Sequence, residues 1–491
     1  MLSVRQQPRS KRVKPHFPRS KLQFRAKMFI SPHELIPEPR WLPLTTLGEF
    51  LMRSLFKRRT GSHIAMAIAL STGAAVGVAG FAEPAFAQKK KKKGEEEAPQ
   101  NNFTKEFVAA YQPVAAMMGA EAPDLAGAKA ALPSVAAQAI TPDDKFAVSN
   151  LTYTVGTKLQ DMQLQSDGIR GMLASGKVPV ESVGQYNFLA AQLAYQLKDY
   201  AGARTYAMAA IEAGYSENSP EVFVAESYLQ NNEPAMGLDY LARAVQSRLD
   251  AGKTVDESWV RRGLAIAYNG KLSSHATQFG YWYASMYPSK DSWGDAIAVL
   301  RNFGNYELPE KLDILRLTRK TKTFRTKYDY HDYIEAADPR RLPGEVVAVA
   351  DEGFGSGILT RDDPFVSEAY SLAQDRAKAD RTELPALERD ANAAGANLRT
   401  VVAAGDTFLS YGDAVKAEAF YTKSLAMPGV DTPVVLTRLG IAQVNQGKMA
   451  DAAATFAKVQ GTRQSIARLW AAYAKQHSAP VAAEAAPAPA A

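Results

Sequence analysis

The sequence predicts an all-α solenoid of tandem helix hairpins, and three observations carry that prediction. Apolar residues recur at intervals of three and four through the body of the chain, the period of a helix with one buried face. Short turns bearing Gly, Asp, Asn or Pro interrupt the pattern, and no strand alternation stands out. Above the helical period lies a longer one. Small residues set among bulky ones fall at Gly156, Ala191, Ala225 and Gly263, in steps of 35, 34 and 38, and again at Gly405 and Gly440, a step of 35.

A second small residue follows each of these by 12 or 13 positions: Gly168, Ala203, Gly237, Ala276, Ala417 and Ala452. Bulky residues come one turn later at Met172, Leu241, Tyr421 and Phe456. Two antiparallel helices approach to roughly 8–10 Å when their contact residues are small. One such hairpin cannot bury its apolar face alone, so stacked neighbours complete the core.

The spacing resembles the tetratricopeptide repeat. Gly405, Phe408, Gly412, Asp413, Ala417, Tyr421 and Ser424 stand at the family's positions, followed by Leu436, Gly440, Gly447, Ala452 and Phe456. Lys198-Asp199-Tyr200 reads as an inter-helix turn, and Ala225, Tyr228, Gly237, Leu241 and Ala244 fill a further unit. Trp259 opens another, with Gly263 and Pro288 bracketing it. Gln443 departs from the family, which has an aromatic there, and Gly168 and Gly237 replace its usual alanine. The resemblance implies a right-handed superhelical solenoid of about eight to ten helix pairs. Repeats are expected over 145–289 and 397–477, with Thr462 to Gln476 as a capping helix and 103–144 as a helical N-terminal extension. The stretch 290–396 is divergent: Trp293 opens a unit there and Pro343-Gly344 reads as another turn.

The chain holds no cysteine, which excludes a disulfide framework, a thiolate metal site and a cysteine nucleophile. Its formal charge of +7 is unevenly placed. Residues 1–87 carry 14 Lys/Arg and 4 Asp/Glu, whereas the rest carries 44 and 47. The body is nearly balanced, so no nucleic-acid partner is expected. Within 52–87 the chain has the parts of a secretory signal peptide. Arg53, Lys57, Arg58 and Arg59 are basic, Ile64 to Ala82 is apolar or small, and Ala85-Phe86-Ala87 supplies a cleavage site. Cleavage after Ala87 and a periplasmic or cell-envelope location are expected, with membrane contact only transient or through an uncleaved signal. Residues 1–51 read as an upstream extension, with translation starting at Met52. Lys89 to Lys93 and Glu95 to Glu97 make 88–102 a charged, disordered linker. The Ala/Pro-rich 478–491 is likewise expected to be disordered.

Few residues suggest chemistry. Beyond the leader only His275, His331 and His477 remain, none in a metal spacing. Asp329, His331 and Asp332 are the nearest approach to a metal or hydrolytic cluster. On a helix, however, 329 and 331 diverge while 329 and 332 share a face. Glu352 to Gly357 alternates glycines, and because a helix precedes them they read as a helix C-terminus rather than a phosphate cradle. No cofactor or metal is expected, and no catalytic residue is assigned. Arg316, Arg319, Lys320, Lys322, Arg325 and Lys327 form the densest basic run of the body, a candidate dock for an acidic segment. The family resemblance further implies that first-helix side chains line a concave wall. Carried across by position, these are Gln192, Tyr195, Gln196, Glu226, Gln230, Arg399, Asp406 and Asn445. The expected function is a non-enzymatic scaffold that binds an extended segment of another protein. The alternatives are a hydrolase built in 290–396 or a membrane-anchored envelope assembly factor.

Overall fold

A computed structural model describes residues 102–478. The leader, its cleavage site, the charged linker before 102 and the Ala/Pro-rich tail beyond 478 lie outside the described residues. Between these limits the secondary structure is helical. The first four hairpins are α1 (Lys105–Gly119) with α2 (Leu125–Ala137), α3 (Pro142–Leu159) with α4 (Met162–Ala174), α5 (Val183–Gln196) with α6 (Tyr200–Glu212), and α7 (Pro220–Gln230) with α8 (Pro234–Asp250). Three more follow: α9 (Glu257–Asn269) with α10 (Ser273–Met286), α11 (Lys290–Phe303) with α12 (Leu308–Lys320), and α13 (Lys327–Ala337) with α14 (Pro343–Gly355). A single long helix, α15 (Pro364–Asn392), precedes α16 (Leu398–Ser410) with α17 (Ala414–Leu425), α18 (Thr432–Asn445) with α19 (Met449–Phe456), and a final α20 (Gln464–His477). Each helix packs mainly on its chain neighbours, which makes the chain a tandem helix-hairpin solenoid.

One turn recurs inside the hairpins. A single residue in the left-handed region ends the first helix: Gln160, Lys198, Asn232, Lys271, Gly412 and Gly447. The next amide then donates back over five residues: Asp199 N–H to the Ala194 carbonyl at 2.9 Å, and likewise Asp413 to Phe408 and Lys448 to Gln443. This closes the free carbonyls of the helix end in a Schellman arrangement. The same bond joins Thr323 to Thr318 across Lys322, here between hairpins, at the step from α12 to α13. Aspartates then cap the second helix. Asp199 accepts from Gly202 N–H at 2.9 Å and Asp413 from Lys416 N–H at 3.1 Å, satisfying amides that have no intrahelical partner.

The small residues lie where the helices meet. A Cβ added to Gly263 would come within 2.3 Å of the Phe279 ring, at Gly440 within 2.5 Å of Phe456, and at Gly405 within 2.7 Å of Tyr421. Gly168 instead faces the backbone of Tyr153. The glycine run of 352–357 ends α14, and Leu359 N–H returns to the Gly353 carbonyl at 3.0 Å. Pro343-Gly344 differs from expectation. Pro343 is the first residue of α14, where its missing N–H costs nothing, and the turn is 338–342. Gly344 serves packing: a Cβ there would meet the Ser410 carbonyl at 2.8 Å.

The two halves of the array differ in their cores. The arm from α1 to α8 has separate small apolar clusters. Farther on, one cluster joins Ala284, Trp293 and Leu317 to Phe408, Tyr421, Phe456 and Trp470. The array therefore closes on itself, with α20 packing against α10 and α12. Trp470 Nε1–H donates to the Asp313 carbonyl at 3.0 Å. Gln476 Nε2 donates to the carbonyls of Ala284 at 2.8 Å and Ser285 at 3.1 Å. Arg463, on the short turn before α20, meets Asp313 and, at 3.1 Å, Glu310. Among the described residues no helix is long and apolar enough to cross a membrane.

Candidate functional site

The closed half holds an open cavity of about 1170 Å³. Its wall is drawn from α12, α13, α14, α15, α16, α18 and α20. The floor comes from an unusual feature of α12. Asp313 and Arg316 sit one turn apart in the otherwise apolar run Leu312 to Leu317, so the helix period turns both inward. Asp313 is 0% and Arg316 6% exposed.

Buried charges need partners, and here each has several. Arg316 grips Glu345 with both arms, Nε to Oε1 at 2.7 Å and Nη2 to Oε2 at 2.6 Å, and reaches Asp313 through Nη1 at 2.9 Å. Tyr333 donates to Glu345 Oε1 at 2.5 Å. The Glu345 amide donates to Ser410 Oγ at 3.0 Å, tying α14 to α16. Burial alone would raise the Glu345 carboxyl, but Arg316 and the Tyr333 hydroxyl outweigh it and hold the group below its ordinary value. Burial likewise works against charge on Arg316, and Glu345 and Asp313 reverse it, so the guanidinium stays charged. Burial, then Glu345, pushes the Tyr333 phenol far up.

Higher on the wall Arg319 binds Glu352 at 2.7 Å. Tyr411 donates to Asp380 at 2.8 Å, and Arg376 takes the other Asp380 oxygen at 2.7 Å. Lys320, Lys322, Lys378 and Arg381 also line the cavity and are exposed to solvent. Burial of its ammonium, then the neighbouring Arg319, pulls the Lys320 pKa down.

The basic run is thus not one patch. Arg316 is consumed in the floor and Arg319 by Glu352, while Arg325 turns to Asp295 at 3.4 Å and Lys327 to Asp363 at 3.5 Å. The turn at Lys322 redirects the chain between the two sets. Of that run, Lys320 and Lys322 stand in the cavity with no carboxylate partner among the described residues.

The eight residues assigned to a concave wall scatter as well. Asn445 lines the cavity. Glu226 is held by buried Arg262 of the next hairpin, with contacts of 2.6–2.9 Å. Asp406 accepts from Arg438 and from the Tyr421 hydroxyl, each at 2.8 Å. These two carboxylates fasten successive first helices to one another. Tyr195 packs on Phe223 and Tyr200 with ring centres 5.3 Å apart. Gln192 and Gln196 are half-buried, and Gln230 and Arg399 are exposed. Gln443, where an aromatic was expected, is buried and donates to Glu418 at 3.2 Å.

Asp329, His331 and Asp332 do not converge. Arg301 bridges Asp329 and Asp332 at 2.6 Å each, and His331 Nε2 lies 3.0 Å from Asp363. Asp329 also accepts the Arg325 and Thr326 amides, which caps α13. Among the described residues no group of three His, Asp or Glu could hold a metal ion. His275 pairs with Asp239 at 2.9 Å between two second helices.

Sequence periodicity did not single out Lys378, Arg381, Arg463 or Trp470. The one available pointer was the charged pair Asp313 and Arg316 inside an apolar stripe, a pattern that requires buried partners elsewhere.

No family model matches the chain, and no curated protein matches it. Among solved structures, one titled "Structure of Naa15/Naa10 bound to HypK-THB" is similar over 73% of this chain and 58% of that chain, with 12% identity and a TM-score of 0.34. This chain therefore spans less than two thirds of that neighbour's length.

Proposed function

We propose that this protein is a non-enzymatic interaction scaffold of the bacterial periplasm or cell envelope. Its tetratricopeptide-type hairpins hold a segment of a partner protein in the cavity bounded by α12, α15 and α20. The observation that carries this reading is the cavity itself. Its floor is a set of charges paired with one another, and its rim offers uncommitted polar and cationic side chains. Such an arrangement suits holding a polar segment, and its volume exceeds what a single small anion would fill. The envelope location rests on the basic, apolar and small-residue succession of 52–87.

The test is proximity labelling in intact cells, with the ligase fused after the C-terminal tail and an exported ligase alone as control. Reproducible enrichment of a small set of envelope proteins is expected. Labelling indistinguishable from the control would remove the scaffold reading.

A further inference from the structure

Six cations reach the cavity wall, and two of them are already matched: Arg316 by Glu345 and Arg319 by Glu352. The other four, Lys320, Lys322, Lys378 and Arg381, have no carboxylate within 4.0 Å among the described residues. They arrive from two places. Lys320 ends α12 and Lys322 sits in the turn after it. Lys378 and Arg381 are three residues apart on α15 and so share one face. Leu409, Ile441 and Trp470 contribute apolar wall between them, and low-dielectric walls concentrate the field of like charges in a cleft. The drop in the Lys320 pKa reflects a cation that is partly desolvated beside another cation. Asn445 adds a hydrogen-bonding side chain to the same wall.

We infer that the cavity takes an acidic segment of a partner protein, bound through several side-chain carboxylates by Lys320, Lys322, Lys378 and Arg381. This rests on the scaffold reading and specifies the chemistry of its partner. Four cations outnumber the single negative charge of a chain end, which favours a segment with several spaced acids. Nucleic acid is disfavoured because phosphate backbones follow a continuous basic track, whereas the chain beyond the leader has 44 Lys/Arg against 47 Asp/Glu.

The experiment uses the full chain and three fluorescein-labelled probes of similar length. These are a C-terminally amidated peptide alternating Glu and Gly, its Gln counterpart, and oligothymidylate. Anisotropy is read at low salt, about 20 mM, and again near 300 mM, where the screening length shrinks to several ångströms. The Glu peptide should bind, the Gln peptide at least tenfold more weakly, and added salt should weaken the Glu peptide by a similar factor. A K320Q/K322Q/K378Q/R381Q variant should lose at least tenfold with an unchanged thermal melt. If that variant melts early, K378Q/R381Q on the exposed face of α15 should still lose at least threefold. Equal binding of the Gln peptide, tighter binding of oligothymidylate, or unchanged affinity of the variants would each overturn the inference. Crosslinking in the envelope separates the two claims. Partners captured equally by wild type and variant sink the acidic segment and leave the scaffold, whereas no partner for either removes both.

Discussion

Arg316 holds two carboxylates while almost wholly out of water. Such a cluster adds little net stability over an apolar core, yet removing one member costs about 3–5 kcal/mol because the remaining charge is left unpaired. Glu345 is the member whose effect can be read by pH. Its folded pKa lies below its ordinary value of 4.5, so the folded state favours the ionised form. The stability it contributes is fully present above that ordinary value and disappears as pH falls through the lower, folded one. Urea midpoints measured between pH 7 and 3 should therefore hold steady and then drop on the acid side. E345Q should lower the midpoint at pH 7 and make the acid drop shallower, because one fewer proton is taken up on unfolding. An acid limb identical to that of wild type would show that Glu345 is not a site of that uptake. Glu226 and Asp406 are likewise each held by a buried arginine one repeat away, Arg262 and Arg438, so a place on a first helix did not leave them available to a partner.

Helix pairs are held by small residues facing rings sixteen positions later, as in Gly263 with Phe279 and Gly440 with Phe456. G263A would gain roughly 1 kcal/mol of helix propensity and lose about 1–3 kcal/mol to overpacking. A net loss is expected, and F279L should relieve part of it, giving a favourable coupling in a double-mutant cycle by urea unfolding. Strict additivity would place the two residues out of contact. This layer of the structure was legible from the chain alone. Small residues, left-handed turn positions and aspartate caps are each local, so their period survives in one dimension. The middle hid its period for a local reason too. Between Pro364 and Asn392 one 29-residue helix stands where a hairpin would, and the turn between α11 and α12 lacks a left-handed residue, Gly304 being extended.

A solenoid whose repeats touch only their neighbours gains stability repeat by repeat, and the arm, with its separate small clusters, is built that way. The closed half does not, because Arg463 reaches Asp313 across 150 positions and Gln476 reaches Ala284 across 192. No periodic signal encodes such pairs, which is why the candidate cavity was illegible while its walls were not. R463A strands Asp313 on Arg316 alone, and hydrogen exchange should report the coupling. Protection should fall in α10, α12 and α20 together and stay unchanged in α3 to α8. Loss confined to 461–477 would mean that α20 is only a cap.

The closure also sets an order of events in time. A chain that emerges N-terminus first can complete α1 to α8 as each hairpin arrives, since every partner is already present. The faces of Ala284, Trp293 and Leu317 have no such luck. They stay wet until more than a hundred further residues have been delivered and α20 comes home. For that interval an emerging chain carries a finished front end and an unsatisfied middle, and the middle is where a holding chaperone would find it.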